Sequence, residues 1–109
     1  MSGIRLKDLS AALGALQLLT LNHPELPAPC ADVSTVFPDR LRLAFHESLA
    51  DFEAWREALG VASEAVELRL WGRASGSLRG SVAYAGATVE LIGFLQLATL
   101  EEPSEEAAG

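Results

Sequence analysis

From Val66 to Leu70, and again at Leu78, Val82 and Tyr84, large apolar side chains keep to alternate positions, and this alternation constrains the chain more than any other feature in it. Val66, Leu68 and Leu70 share one parity, while Glu67, Arg69, Trp71 and Arg73 share the other. Successive residues of a strand point to opposite faces, so a period of two predicts a half-buried strand with its aliphatic side chains inward. The same parity throws Trp71 outward among arginines. ASGS at 74–77 supplies turn chemistry, SLRGSVAYA returns the chain, and Ala85, Gly86 and Ala87 turn it again into TVELIGFL. With Leu78, Val82 and Tyr84 inward, Arg79, Ser81 and Ala83 face outward.

Upstream, Leu6, Leu9, Leu13 and Leu16, joined by Ala12 and Leu19, recur at helical spacing and predict a first helix over 5–21, stopped by Asn22, His23 and Pro24. Ala11, Gly14, Leu18 and Leu21 lie on its other side. A helix apolar on two sides packs either between two parts of one core or between its core and a second copy of the chain. HPELPAP is a proline-stiffened connector. ADVSTV and RLRLAFH, separated by Phe37, Pro38 and Asp39, predict an antiparallel hairpin. In its second arm Leu41, Leu43 and Phe45 alternate with Arg40, Arg42, Ala44 and His46. Ser48 with Asp51 three residues on resembles a capping box, and Gly60 suits the left-handed position that ends a helix. Leu49, Phe52, Trp55 and Leu59 form the apolar stripe between them, with Trp55 on its edge as a core or core-rim anchor. The order α-β-β-α-β-β-β implies an α+β domain, an antiparallel sheet of about five strands with two helices on one face.

The 109 residues suffice for one hydrophobic core. Four of the fifteen acidic residues, Glu101, Glu102, Glu105 and Glu106, fall in the last nine, which leaves eleven against eight basic side chains over 1–100. We therefore read 1–100 as a single domain and 101–109 as an acidic disordered tail. An acidic chain argues against general phosphate-backbone binding, although a local basic face is still open to an acidic partner. A single cysteine, Cys30, excludes an intramolecular disulfide framework and suits a reducing compartment, so the expected location is cytoplasmic. The apolar run after Arg5 and Lys7 superficially mimics a lipoprotein signal, but Pro29 stands before the cysteine and Asp8, Gln17 and Thr20 break the pattern. No run is long and apolar enough to span a bilayer, and no membrane association is expected.

HPELPAP, DRLRLAFHESLADFEAWREALG and the glycine-punctuated hairpins at the C-terminal end resemble those of small proteins without assigned activity from high-GC actinobacteria and their mobile elements. The resemblance implies a fold and a source, and it implies no activity. Seven arginines against one lysine are consistent with a GC-rich genome.

Signatures of chemistry are weak. His23-Pro24-Glu25 followed by Pro29-Cys30 imitates half of a zinc deaminase site, but Val33 stands where the second cysteine would bind, and four residues cannot hold the intervening strand and helix. No metal site or other cofactor is expected. A nucleophile elbow fails because Leu78 occupies the serine position of Gly76 to Gly80. Glu53 and Glu57 lie one helical turn apart on an outward face, where carboxylates are normally solvated. No catalytic residue is nominated, and the chain reads as leaning away from an enzyme.

If the two strand groups join into one sheet, Trp71, Arg69, Arg73, Arg42 and Arg79 share its outer face. Either the guanidiniums simply cover the indole, or the face recognises a partner, since Trp and Arg dominate binding hot spots. The favoured function is an accessory protein that binds an acidic macromolecule there, with a homodimer contact through Leu18, Leu21, Ala11 and Gly14. The alternatives are a nucleic-acid-associated regulator, with Trp71 stacking a base, and a small-molecule-binding or enzymatic domain without a recognisable motif.

Overall fold

In the computed structural model, residues 3–46, 48–73 and 75–96 are described, and the acidic segment 101–109 lies outside them. A 3-10 turn over Leu6–Leu9, in which the Arg5 backbone N–H donates to the Asp8 carboxylate at 2.9 Å, leads into α1, Ser10–Asn22. There follow β1 (Cys30–Val33), β2 (Arg40–Phe45), α2 (Leu49–Leu59), a second 3-10 turn (Ser63–Ala65), β3 (Glu67–Trp71), β4 (Ser75–Tyr84) and β5 (Ala87–Gln96). The chain is an α+β fold with five strands and two helices, and the two 3-10 turns are additions to the predicted order.

The expected all-antiparallel sheet is corrected. The strands lie in the order β1-β2-β5-β4-β3, and β2 runs parallel to β5, with Leu43 opposite Leu91. Every other neighbouring pair is antiparallel. Tight turns dictate the direction of β1 against β2 and of β3, β4 and β5 among themselves. The direction in which those two groups meet depends on tertiary packing alone. β5 carries apolar side chains to both faces, since Val89, Leu91 and Ile92 are all buried. It therefore takes the centre of the sheet.

The second turn is as expected: Ala85 (φ 53°) and Gly86 (φ 82°) close the β4–β5 hairpin in left-handed backbone. The first is displaced. The chain reverses at Gly72 and Arg73, and Ser75 to Ser77 already belong to β4. Gly76 serves a close approach instead of a turn, because a Cβ there would come within 2.7 Å of the Arg69 carbonyl oxygen and of the Leu70 side chain.

α2 is bounded as predicted. Ser48 Oγ accepts from the Asp51 backbone N–H at 3.4 Å, and Gly60 ends the helix at φ 75°. Phe52 and Trp55 are buried in the core with Leu41, Leu43, Phe45, Val89 and Leu91. Trp55 also donates its indole N–H to the Pro27 carbonyl at 2.7 Å, tying the proline connector to α2. Trp55→Phe keeps most of the ring but leaves that carbonyl without its donor. The expected cost is about 1 kcal/mol, measurable by denaturant unfolding.

α1 is turned relative to the sequence reading. Ala12, Ala15 and Leu19 are its buried residues, while Leu6 and Leu13 of the predicted stripe are exposed. Two alanines on the contact line let the helix lie close to β2 and β5, which the larger leucines would prevent. Ala11 packs at the rim of the core, and Gly14, Leu18 and Leu21 face away from it.

Candidate functional site on the outer sheet face

Both helices pack on one face of the sheet, so the opposite face is built from strand side chains alone. Cross-strand register arranges that face in rows. One row runs Ser81, Glu90, Arg42, Asp32; the next runs Glu67, Arg79, Ile92, Ala44, Cys30; beyond it lie Arg69, Ser77 and Phe94, and then Trp71 and Ser75. The expected parity of β3 holds, but the expected burial does not, because Leu68 and Leu70 lie beyond the reach of the helices and are more than half exposed. Leu68 and Leu70 share the helix-side face with Leu78 and Gly76, and Glu67, Arg69 and Trp71 lie on the other.

The rows divide the face into two regions. At one end three arginines converge on a single carboxylate: Arg79 donates to Glu90 Oε2 at 3.4 Å, Arg42 Nε lies 3.5 Å from Oε1, and an Arg40 terminal nitrogen lies 3.9 Å from Oε1. The Glu90 side chain is 12% exposed and those of the arginines 37–46%. Arg42 Nε and Glu90 Oε1 are buried without a hydrogen-bond partner among the described residues, so that contact rests on charge more than on aligned hydrogen bonds. Arg40 also covers the Phe37 ring at 4.3 Å from its centroid. A shallow cleft of about 250 Å³ opens beside them, lined by Asp32, Ser34, Val36, Phe37, Arg40 and Arg42.

The other end is aromatic. His46 stacks on Phe94, with ring centroids 4.7 Å apart and planes 7° from parallel, and Trp71 stands 46% exposed at the sheet edge. Among the described residues no cation lies over its ring, the one such contact being that of Arg40 with Phe37. Arg69 shares the Trp71 face two residues away, and Arg73 lies in the turn that follows. Arg79 sits two rows off. Arg42 belongs to the row six strand positions from Trp71, roughly 20 Å along the strand direction at about 3.3 Å per residue. The structure thus places Trp71, Arg69, Arg42 and Arg79 on one face without gathering them at one point.

Glu90 escaped the sequence reading. Its signal was present, a lone carboxylate in an otherwise apolar strand, on the outward parity of Thr88. Phe94 has that parity too and is equally easy to mistake for core.

The remaining chemistry is sparse. Glu53 and Glu57 do not form an acid–base pair, because Arg56 lies between them, at 2.8 Å from Glu53 and 3.8 Å from Glu57. The hydrogen bond to Glu53 pushes the Arg56 pKa above its ordinary value against the opposing effect of burial. A second cleft, of about 270 Å³, lies between the end of α1 and the proline connector, walled by Leu16, Leu19, Leu26 and Trp55, with His23 at its edge. Its lining offers one imidazole and one hydroxyl, that of Thr20, which is engaged in donating to the Gln17 carbonyl at 2.6 Å, and no carboxylate. Among the described residues no cluster of three or more His, Cys, Asp or Glu side chains has a metal-binding arrangement, and no helix is long and apolar enough to cross a membrane. Comparison with protein-family models, with curated proteins and with solved structures gives no match.

Proposed function

We propose that the protein is a non-enzymatic accessory protein that binds an acidic macromolecular partner through the outer face of its sheet, in a reducing, cytoplasmic setting. Trp71 is the anchor, and Arg69, Arg73, Arg79 and Arg42 select negative charge. The observation that carries this reading is the half-exposed indole at a sheet edge, uncovered by any arginine among the described residues, on a face that holds four more guanidiniums. A homodimer belongs to the same reading, and the back of α1, with Leu18, Leu21 and Gly14 outward and Ala11 at its margin, is one surface for it.

Titration with a glutamate-rich peptide, followed by calorimetry so that the readout does not depend on the indole itself, tests the proposal. Trp71→Ala is expected to weaken binding at least tenfold, on the order of 1.4 kcal/mol or more, while shifting unfolding stability by less than about 0.5 kcal/mol. Unchanged affinity removes Trp71 from the account. A second reading, single-stranded nucleic acid, is favoured by the His46–Phe94 stack, which shares the outer face with Trp71 from two strands away, since sheets that bind bases present several aromatics. Replacing the peptide by an RNA oligonucleotide distinguishes the two: tight binding that falls steeply with salt selects nucleic acid.

A further inference from the structure

The two edges of the sheet are built differently. β1 is four residues long, follows the prolines of the connector and carries Asp32, all devices that discourage pairing with another strand. β3 is longer and follows no proline, and its two charges, Glu67 and Arg69, are opposite in sign and so do not repel a second copy of the same strand. Among the described residues it pairs with β4 on one side only, all five of its own residues are exposed, and it contains neither proline nor lysine. The helices stop short of it. Leu68 (56% exposed) and Leu70 (57%) therefore stand open on the helix side, next to the half-buried Leu78, while Trp71 stands open on the other. An unpaired strand edge flanked by aliphatic side chains favours pairing with another strand.

The geometry points to a second copy of this chain as the occupant: two β3 strands pair antiparallel across a two-fold axis centred on Leu68, joining the sheets of two protomers into one. This inference moves the homodimer of the proposed function from α1 to the sheet edge, and it stands or falls separately from the reading of the outer face as a site for an acidic partner. Face continuity across the seam requires residues of like parity to lie opposite one another, which leaves few registers. Centred on Arg69, the pairing sets two arginines face to face, a destabilising arrangement. Centred on Leu70, it sets Leu68 against Gly72, which lies in the turn. Centred on Leu68, Glu67 of each copy lies opposite Arg69 of the other, giving two ion pairs on the outer face. On the helix side, Leu68 meets its own counterpart and Leu70 meets Val66, whose backbone is extended at φ −84° and ψ 129° and so continues the strand. The sequence from Val66 to Leu70 is self-complementary in this register in both charge and apolarity.

Sedimentation equilibrium of the full chain over a concentration series tests it. The expected mass is twice the 11.6 kDa of one chain. Leu68→Lys, at an exposed position, is expected to reduce it to one chain that keeps its circular dichroism spectrum and whose thermal midpoint no longer rises with concentration, and Leu21→Lys on the back of α1 is expected to leave the dimer intact. In a Cys30→Ser background, Leu68→Cys should give a disulfide-linked dimer on copper–phenanthroline oxidation, whereas Leu70→Cys should not. A single-chain mass at every concentration, a dimer that survives Leu68→Lys and is broken by Leu21→Lys, or crosslinking through position 70 and not 68 would each overturn the proposal. Peptide binding measured on the Leu68→Lys monomer reports on the outer face independently.

Discussion

Phe52→Ala is expected to cost about 3–5 kcal/mol of folding stability, a large share of the whole margin against unfolding. Net stabilities of domains this size are only about 5–15 kcal/mol. Phe52 is fully buried and meets Phe45 edge to face, with ring centroids 6.3 Å apart. Its ring also lies over Gly93 of β5, so close that a Cβ added there would come 3.1 Å from it. Alanine therefore opens a cavity between α2 and the central strand that neither neighbour can fill, because the strand position beneath has no side chain to rotate into it. Circular dichroism on heating reads the loss directly. A midpoint lowered by less than that of a surface alanine substitution would show that α2 does not organise this core.

The second large effect concerns binding. Glu90→Gln removes the one carboxylate on which Arg40, Arg42 and Arg79 converge and leaves three guanidiniums facing one another. The glutamine oxygen still accepts from Arg79, so the loss is mainly Coulombic. With the arginines more than a third exposed, solvent screening holds the expected cost to about 1–2 kcal/mol. The freed cluster should then take up an anion. Phosphate added at constant ionic strength is expected to stabilise the Glu90→Gln chain and to stabilise the parent much less, by the linkage between ligand binding and folding. An equal response in both chains would mean that Glu90 does not occupy the cationic cluster in any energetic sense. A larger response in the variant would identify Glu90 as an internal competitor of an acidic ligand.

The outer face is legible in the sequence because strand parity is a local property: once Val66, Leu68 and Leu70 are assigned inward, Arg69 and Trp71 have no other direction available. Helix α2 was equally legible, since Ser48, Gly60 and the stripe between them act within the helix itself. What escaped the sequence was non-local. The parallel contact of β2 with β5 decides which outward residues become neighbours, and it brought Arg40 and Arg42 to Glu90 and away from Trp71. Periodicity also could not orient α1, where leucines surround the helix and the deciding residues, Ala12 and Ala15, are small. The turn at Gly72 was missed because Gly76 offered a second glycine whose role is contact, and nothing in the local sequence separates the two uses.

The parallel contact also bears on cooperativity. β1 with β2, and β3 with β4 and β5, can each close by short hairpins, whereas residues that face each other between β2 and β5 are roughly fifty positions apart, a separation that adds loop-closure entropy to their pairing. Left to backbone hydrogen bonds, the two units would join weakly. Both helices, however, touch β2 and β5 together, so each spans the joint and buries its side chains against both units at once. Unfolding of either half strips the helices of half their support, and that shared dependence makes two locally assembled pieces melt as one body.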